Sequence, residues 1–120
     1  IGRGVLATAD ADGNLDVALQ ARPHIVDEDT IAFLLTDPTT CENLQANPHA
    51  AYLFLEEGPE YNGKRLYLTK IKEEQEGEVF ESLRQTIAAL RVCCLIYFKV
   101  DEVLPLVDVT EKKKFVQAVG

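Results

Sequence analysis

Residues Leu15-Asp-Val-Ala-Leu-Gln-Ala-Arg22 switch side-chain character at every step, directly after Asp12-Gly13. Leu15, Val17, Leu19 and Ala21 form one set; Asp16, Ala18, Gln20 and Arg22 form the other, small and polar. A helix would scatter both sets around its circumference, whereas an extended chain sorts them onto opposite faces. Asp-Gly is a strong signal for a tight hairpin because glycine readily supplies a positive φ. The segment therefore predicts a strand that returns from a hairpin and pairs with Val5-Leu-Ala-Thr-Ala9. A chain so committed at its start builds an antiparallel sheet.

The same reading continues along the chain. Thr30-Ile-Ala-Phe-Leu-Leu-Thr36 is nearly all apolar and predicts a strand buried on both faces. Asp37-Pro38-Thr39-Thr40 breaks it and opens a short helix, Cys41–Ala46, which Asn47-Pro48 ends because the residue before proline avoids the α region. His49–Leu55 and Lys64–Ile71 predict two more strands around a tight turn at Asn62-Gly63. From Lys72 to about Leu90 the period lengthens, with Val79, Phe80, Leu83, Ile87 and Leu90 on one helical stripe. The acidic run Glu73–Glu78 suits the positive end of that helix and reads as a solvated face. Val92–Val100 predicts a sixth strand running into Asp101–Leu106, and Thr110–Val116 a short terminal helix. The expected fold is one domain over residues 1–120. It is mainly β with helices, of about six mostly antiparallel strands, one short helix and one long one. Such a sheet removes its edges best by curling into a barrel.

Charge and composition exclude several classes. Twenty acidic against 12 basic residues give a net charge of −8, which repels nucleic-acid backbones and anionic membranes. No apolar run approaches the ~18–20 residues of a membrane span. Ile1-Gly2-Arg3-Gly4 does not resemble a signal peptide; methionine is absent throughout, so the sequence is expected to lack its true N-terminus. Cys41, Cys93 and Cys94 have neither metal spacing nor the even count of a disulfide framework. Cys93 and Cys94, neighbours in an apolar run, are expected as buried strand residues facing opposite ways, with a redox pair as the alternative. A cytoplasmic location follows from this reading.

No nucleophile elbow, phosphate loop, dinucleotide fingerprint or metal-spaced histidine pair occurs. His24 and His49 sit beside prolines at element ends, as turn or surface residues or else ligand contacts. The aromatic residues are mostly core at strand spacing, with Tyr67 a candidate to face a cofactor. What remains is a constellation: the polar strand face with Arg22, followed by Thr36-Asp37-Pro38-Thr39-Thr40 at a helix start. Backbone N–H groups, hydroxyls and the helix dipole make such a start an anion site, and a guanidinium suits phosphate. The alternative is that Thr39-Thr40 merely cap the helix.

The order of these segments resembles the pyridoxamine 5′-phosphate oxidase-like family. The likeness is carried by Gly4-Val-Leu-Ala-Thr8 with its Asp12-Gly13 turn, Asp16–Arg22 and Asn43-Leu-Gln-Ala-Asn-Pro48 leading into Ala50–Phe54. It continues through Arg65-Leu-Tyr-Leu-Thr69 and Val103-Leu-Pro-Leu106, so most of the chain is covered. The resemblance implies an FMN-binding split β-barrel that works as a homodimer, with FMN at the subunit interface and a small-molecule redox substrate. It implies cofactor contacts at Leu19, Gln20, Ala21 and Arg22 for the ring and at Thr36, Thr39 and Thr40 for the phosphate. Tyr67 joins them from the residue reading, and no catalytic residue or metal ligand is assigned. Many members carry a basic residue where this chain has Pro38, Thr39 and Thr40, which leaves Arg22 as the expected phosphate cation. Other functions open to such a barrel are a flavin or haem carrier or sensor without turnover, and a cofactor-free dimerisation module.

Overall fold

The computed structural model describes residues 2–59, 62–86 and 94–107. Its strands are β1 (Gly2–Ala9), β2 (Leu15–Leu19), β3 (His24–Ile25), β4 (Thr30–Leu35), β5 (His49–Glu56), β6 (Gly63–Glu74) and β7 (Cys94–Pro105). Two helices join them, α1 (Pro38–Ala46) and α2 (Glu78–Thr86). All seven strands belong to one antiparallel sheet in the order β2-β1-β5-β6-β7-β4-β3.

The structure differs from the expectation at several boundaries. β3 is a seventh strand of two residues, paired through His24–Ala32 and Ile25–Ile31, too short to show a period. β2 stops at Leu19, before Arg22. β6 continues to Glu74, because its ladder with β7 persists to Glu74–Leu95 past two register shifts. α2 therefore begins only at Glu78, after Gly77 at φ 116°. Its Phe80 is buried, whereas Val79 is exposed and off the packed face. The expected helix beyond 86, Val92 and Cys93 of the last strand, and the 110–116 helix lie outside the described residues.

One core fills the inside of the curled sheet. Leu6 from β1, Ile31, Phe33 and Leu35 from β4, Tyr52 from β5, Leu68 from β6 and Ile96 and Phe98 from β7 meet there, with Leu44 of α1. Residues of β1 and β4, the strands next to the two ends of the order, share this core, so the sheet wraps around it. A smaller cluster on the outside of β4 and β7 joins Ala32, Leu95 and Tyr97 to Phe80 of α2. Lys70 Nζ donates to the Leu44 carbonyl of α1 at 3.1 Å and pairs with Glu73, which ties α1 to β6. Among the described residues no helix is long and apolar enough to cross a membrane.

β2 and β3 are the two ends of the sheet and share no ladder. Side chains tie the segment that joins them to β4 and β5. Gln20 Nε2 donates to the Leu34 carbonyl of β4 at 3.2 Å, and its own N–H donates to Gly4 O at 2.9 Å. The buried Tyr52 hydroxyl reaches Gln20 O at 3.1 Å and Ala21 O at 3.3 Å. It passes against Gly4, where an added Cβ would sit 1.9 Å from Tyr52 Oη. The tyrosine is 1% exposed and packed 4.7 Å from the Phe33 ring, so it has no room to step aside. Gly4→Ala is therefore expected to destabilise the fold by about 1–3 kcal/mol, the usual range for forced overpacking. Urea denaturation of the two proteins measures this.

Candidate functional site

Where the chain leaves the seam, Arg22, Pro23 and Ile25 border an open cavity of about 560 Å³. Its wall is the inward face of the β5–β6 hairpin, since register pairs Tyr52 with Leu66 and Phe54 with Lys64. The lining is completed by Arg22, Pro23, Ile25, Glu56, Asn62 and Gly63. The Arg22 guanidinium lies over the Phe54 ring, 4.7 Å from its centroid, a cation–π contact that holds it in the lining. Phe54 in turn stacks beside Tyr52 at 6.3 Å. Two cations, Arg22 and Lys64, and one carboxylate, Glu56, thus surround an aromatic and aliphatic floor. This volume and mix of apolar wall with few charged groups is that of a small-molecule site. A cationic rim over flat rings suits a planar anion.

The expected site residues fall into separate places. Arg22 is in the cavity. Gln20 points inward and is committed to Leu34 O, while Ala21 is exposed and its carbonyl accepts from Tyr52. Leu19 points outward and is 82% exposed. Tyr67, 39% exposed, is paired with Ala51 on the outside of the sheet. Thr36 is half-buried, Thr39 exposed and Thr40 1% exposed. None of the three threonines lines the Arg22 cavity.

The helix start itself is already served. Asp37 is the N-cap of α1, and its Oδ2 accepts from Thr40 N–H at 3.3 Å and Thr40 Oγ1 at 2.7 Å. A carboxylate at the first turn also meets the positive end of the helix. The cap is Asp37; Thr40 is its donor.

Sequence reasoning assigned Tyr52 and Phe54 to the core and set Lys64 at the start of a strand, with no part in the site. The signal was present in the Asn62-Gly63 hairpin, whose register sets Lys64 beside Phe54 on one face.

The outer face of β2, β1, β5 and β6 is a second feature. Leu15 is 84% and Val17 67% exposed, and with Leu19 they continue across Val5 and Ala7 of β1 to Ala51 and Leu53 of β5. The apolar set of β2 therefore faces out, while Asp16, Ala18 and Gln20 face in. Asp16 Oδ2 is shielded from solvent without a hydrogen-bond partner among the described residues.

Solved structures share this architecture. An FMN-binding protein from Syntrophomonas wolfei subsp. wolfei superposes with a TM-score of 0.79 at 21% identity, covering 88% of this chain and 78% of that one. A candidate pyridoxamine 5′-phosphate oxidase from Lactobacillus delbrueckii gives 0.67 at 18% identity, over 85% and 83% of the two chains. HutZ, the haem storage protein of Vibrio cholerae, gives 0.60 at 14% identity, over 86% and 84%. No family model and no curated protein sequence matches the chain. The fold is the split β-barrel of pyridoxamine 5′-phosphate oxidase-like proteins, as the resemblance implied.

Burial raises the Tyr52 pKa to about 12 from 10.0, against the lowering effect of the Arg22 charge. Tyr97 is also pushed up to about 12, by burial first and then by its hydrogen bond to Glu74 and that carboxylate's charge. Both groups hold their protons more tightly folded than unfolded. Their stabilisation is complete below pH 10.0 and is lost as the pH climbs towards 12. Urea melts across that window should show a loss on the order of 2 kcal/mol per tyrosine. Tyr52→Phe and Tyr97→Phe should each flatten the decline by their own share.

Proposed function

We propose that this chain binds a planar anionic cofactor, FMN in the first place, and does so as a homodimer. The observation that carries the reading is the cavity in which Arg22 stands over the Phe54 ring and Lys64 joins the lining. The residues present suit the group. Phe54 and Leu66 offer apolar surface to a ring, the two cations offer charge-assisted hydrogen bonds to a phosphate, and Tyr52 fixes the Gln20-Ala21 backbone beside it. Bound there, the flavin supplies hydride or electron transfer, and the protein's part is to position it and to limit water. The fold neighbours agree in kind, since one is an FMN-binding protein.

A haem-type ligand is the second reading, for a specific reason. Asp37 occupies the helix start expected to take the phosphate, and a haem storage protein shares the fold; exposed His24 adjoins Pro23 and Ile25 of the lining in sequence without itself lining the cavity. The visible spectrum of protein titrated with FMN, riboflavin and haem separates the readings. Saturable FMN binding supports the first, and a shifted Soret band lost in His24→Ala supports the second. Binding of none of the three overturns both.

Removing Arg22 tests the phosphate assignment. A hydrogen bond to a charged group contributes roughly 1.5–3 kcal/mol, so Arg22→Ala should weaken FMN by about 10- to 150-fold. Riboflavin, lacking the phosphate, should bind this variant almost as it binds the parent. An unchanged preference for FMN over riboflavin removes Arg22 from the phosphate.

The dimer rests on the exposed apolar face of β2, β1 and β5. Edge strands that present such side chains to water invite a partner, and a second copy offers the same apolar face across a two-fold axis. Light scattering should give twice the chain mass at micromolar concentration. Val17→Glu with Leu19→Glu should return it to one chain mass with its circular dichroism unchanged.

A further inference from the structure

One buried pair of reactive groups takes no part in the site above. Cys41 Sγ and Cys94 Sγ lie 3.5 Å apart, although the residues are 53 positions apart in sequence. Cys41 sits in the first turns of α1, and Cys94 opens β7 opposite Leu35 of β4. Leu44, on the same helix, seats α1 in the main core, and that seating brings the thiols together. Cys94 is 2% and Cys41 8% exposed.

Two thiols in contact need to close by only about 1.5 Å to reach the length of a sulfur–sulfur bond, a shift within reach of side-chain rotation. We infer that Cys41 and Cys94 are an oxidisable dithiol, which a hydroperoxide converts to a disulfide that fastens α1 to β7. Cys41 is the entry point because it retains some exposure. Its thiolate takes one oxygen from the peroxide and becomes a sulfenic acid, while the other oxygen leaves as water or an alcohol. The Cys94 thiolate then attacks that sulfur, the S–S bond forms, and hydroxide departs to collect the proton that Cys94 gave up. Two thiols and one hydroperoxide yield one disulfide, one water and one water or alcohol, with two electrons passing from sulfur to the peroxide.

The bond would close a loop that holds the whole of β5, β6 and α2, so it restricts the unfolded chain strongly. It needs no flavin and stands apart from the cofactor reading.

Hydrogen peroxide added to the Cys93→Ser protein tests it, since Cys93 and Cys94 are adjacent and would otherwise share a peptide. The expected product has lost two hydrogens, and its non-reducing digest joins the Cys41 and Cys94 peptides. Its thermal midpoint should rise on the order of 10 °C and fall back on adding dithiothreitol. The unsubstituted chain should yield the same mass loss, and Cys41→Ser should not. Oxygen addition without linkage in the Cys93→Ser protein, or a bond between Cys93 and Cys94 in the unsubstituted chain, would overturn the inference.

Discussion

The barrel is held shut at one place by side chains instead of a backbone ladder. β2 and β3 end the sheet without pairing, and the segment that joins them is fastened by Tyr52 of β5 and, through Gln20, to β4. Gly4 makes this possible by leaving out a side chain where the tyrosine passes. The phenol then reaches two carbonyls of the crossing segment, and the Gln20 amide reaches β4. Everything that follows the seam depends on this fastening. Arg22 is the next residue outward, and its place over Phe54 follows from where the chain leaves Ala21. The cavity exists because the sheet is closed by a few directed bonds and a rim, and not by continuous pairing.

β2 shows how a strand can carry its apolar set on the wrong side for a monomer. Hydrophobic burial would normally turn Leu15, Val17 and Leu19 inward. Here the inside of β2 faces β4 and α1, where Gln20 finds a carbonyl and Thr8 on neighbouring β1 accepts from Asn43 at 3.0 Å. Gln20 and Thr8 are tolerated inside because partners are there for them, whereas Asp16 Oδ2 finds none among the described residues. The exposed face of β2 then continues into Ala7 and Ala51, where small side chains keep the surface flat. Helix α2 covers the outside of β4 and β7 through Phe80; no described helix covers the outer face of β2, β1 or β5.

Much of this was legible from residue order. Alternation and two glycine turns placed the strands, and the break at Asp37-Pro38 placed α1. β3 was not legible, since two residues after a proline carry no period. The start of α2 was read too early because strand and helix compete over Lys72–Gln75, and the ladder with β7 decides between them. At the site, Arg22 was legible as an isolated cation on a small-residue strand. Lys64 and Phe54 were not, because their approach depends on hairpin register. Thr40 was read as an anion contact or as a helix cap; the structure makes Asp37 the cap and Thr40 a donor to it, a pairing that the order of residues alone does not single out. The Cys41–Cys94 contact joins segments 53 residues apart, which local pattern cannot see.

The strand order also fixes how the chain must assemble. β1 pairs with β5 and β4 with β7, so two central ladders join segments made far apart in time. The β1–β2 and β5–β6 hairpins close locally, but neither barrel half is complete until those distant ladders form. Loop closure on that scale places the fold among the slow ones, in milliseconds to seconds. Throughout that interval β2 offers a sticky margin to any neighbouring chain. The net charge of −8 keeps such chains apart while the ladders form, so acidity acts here as a guard on the nascent molecule.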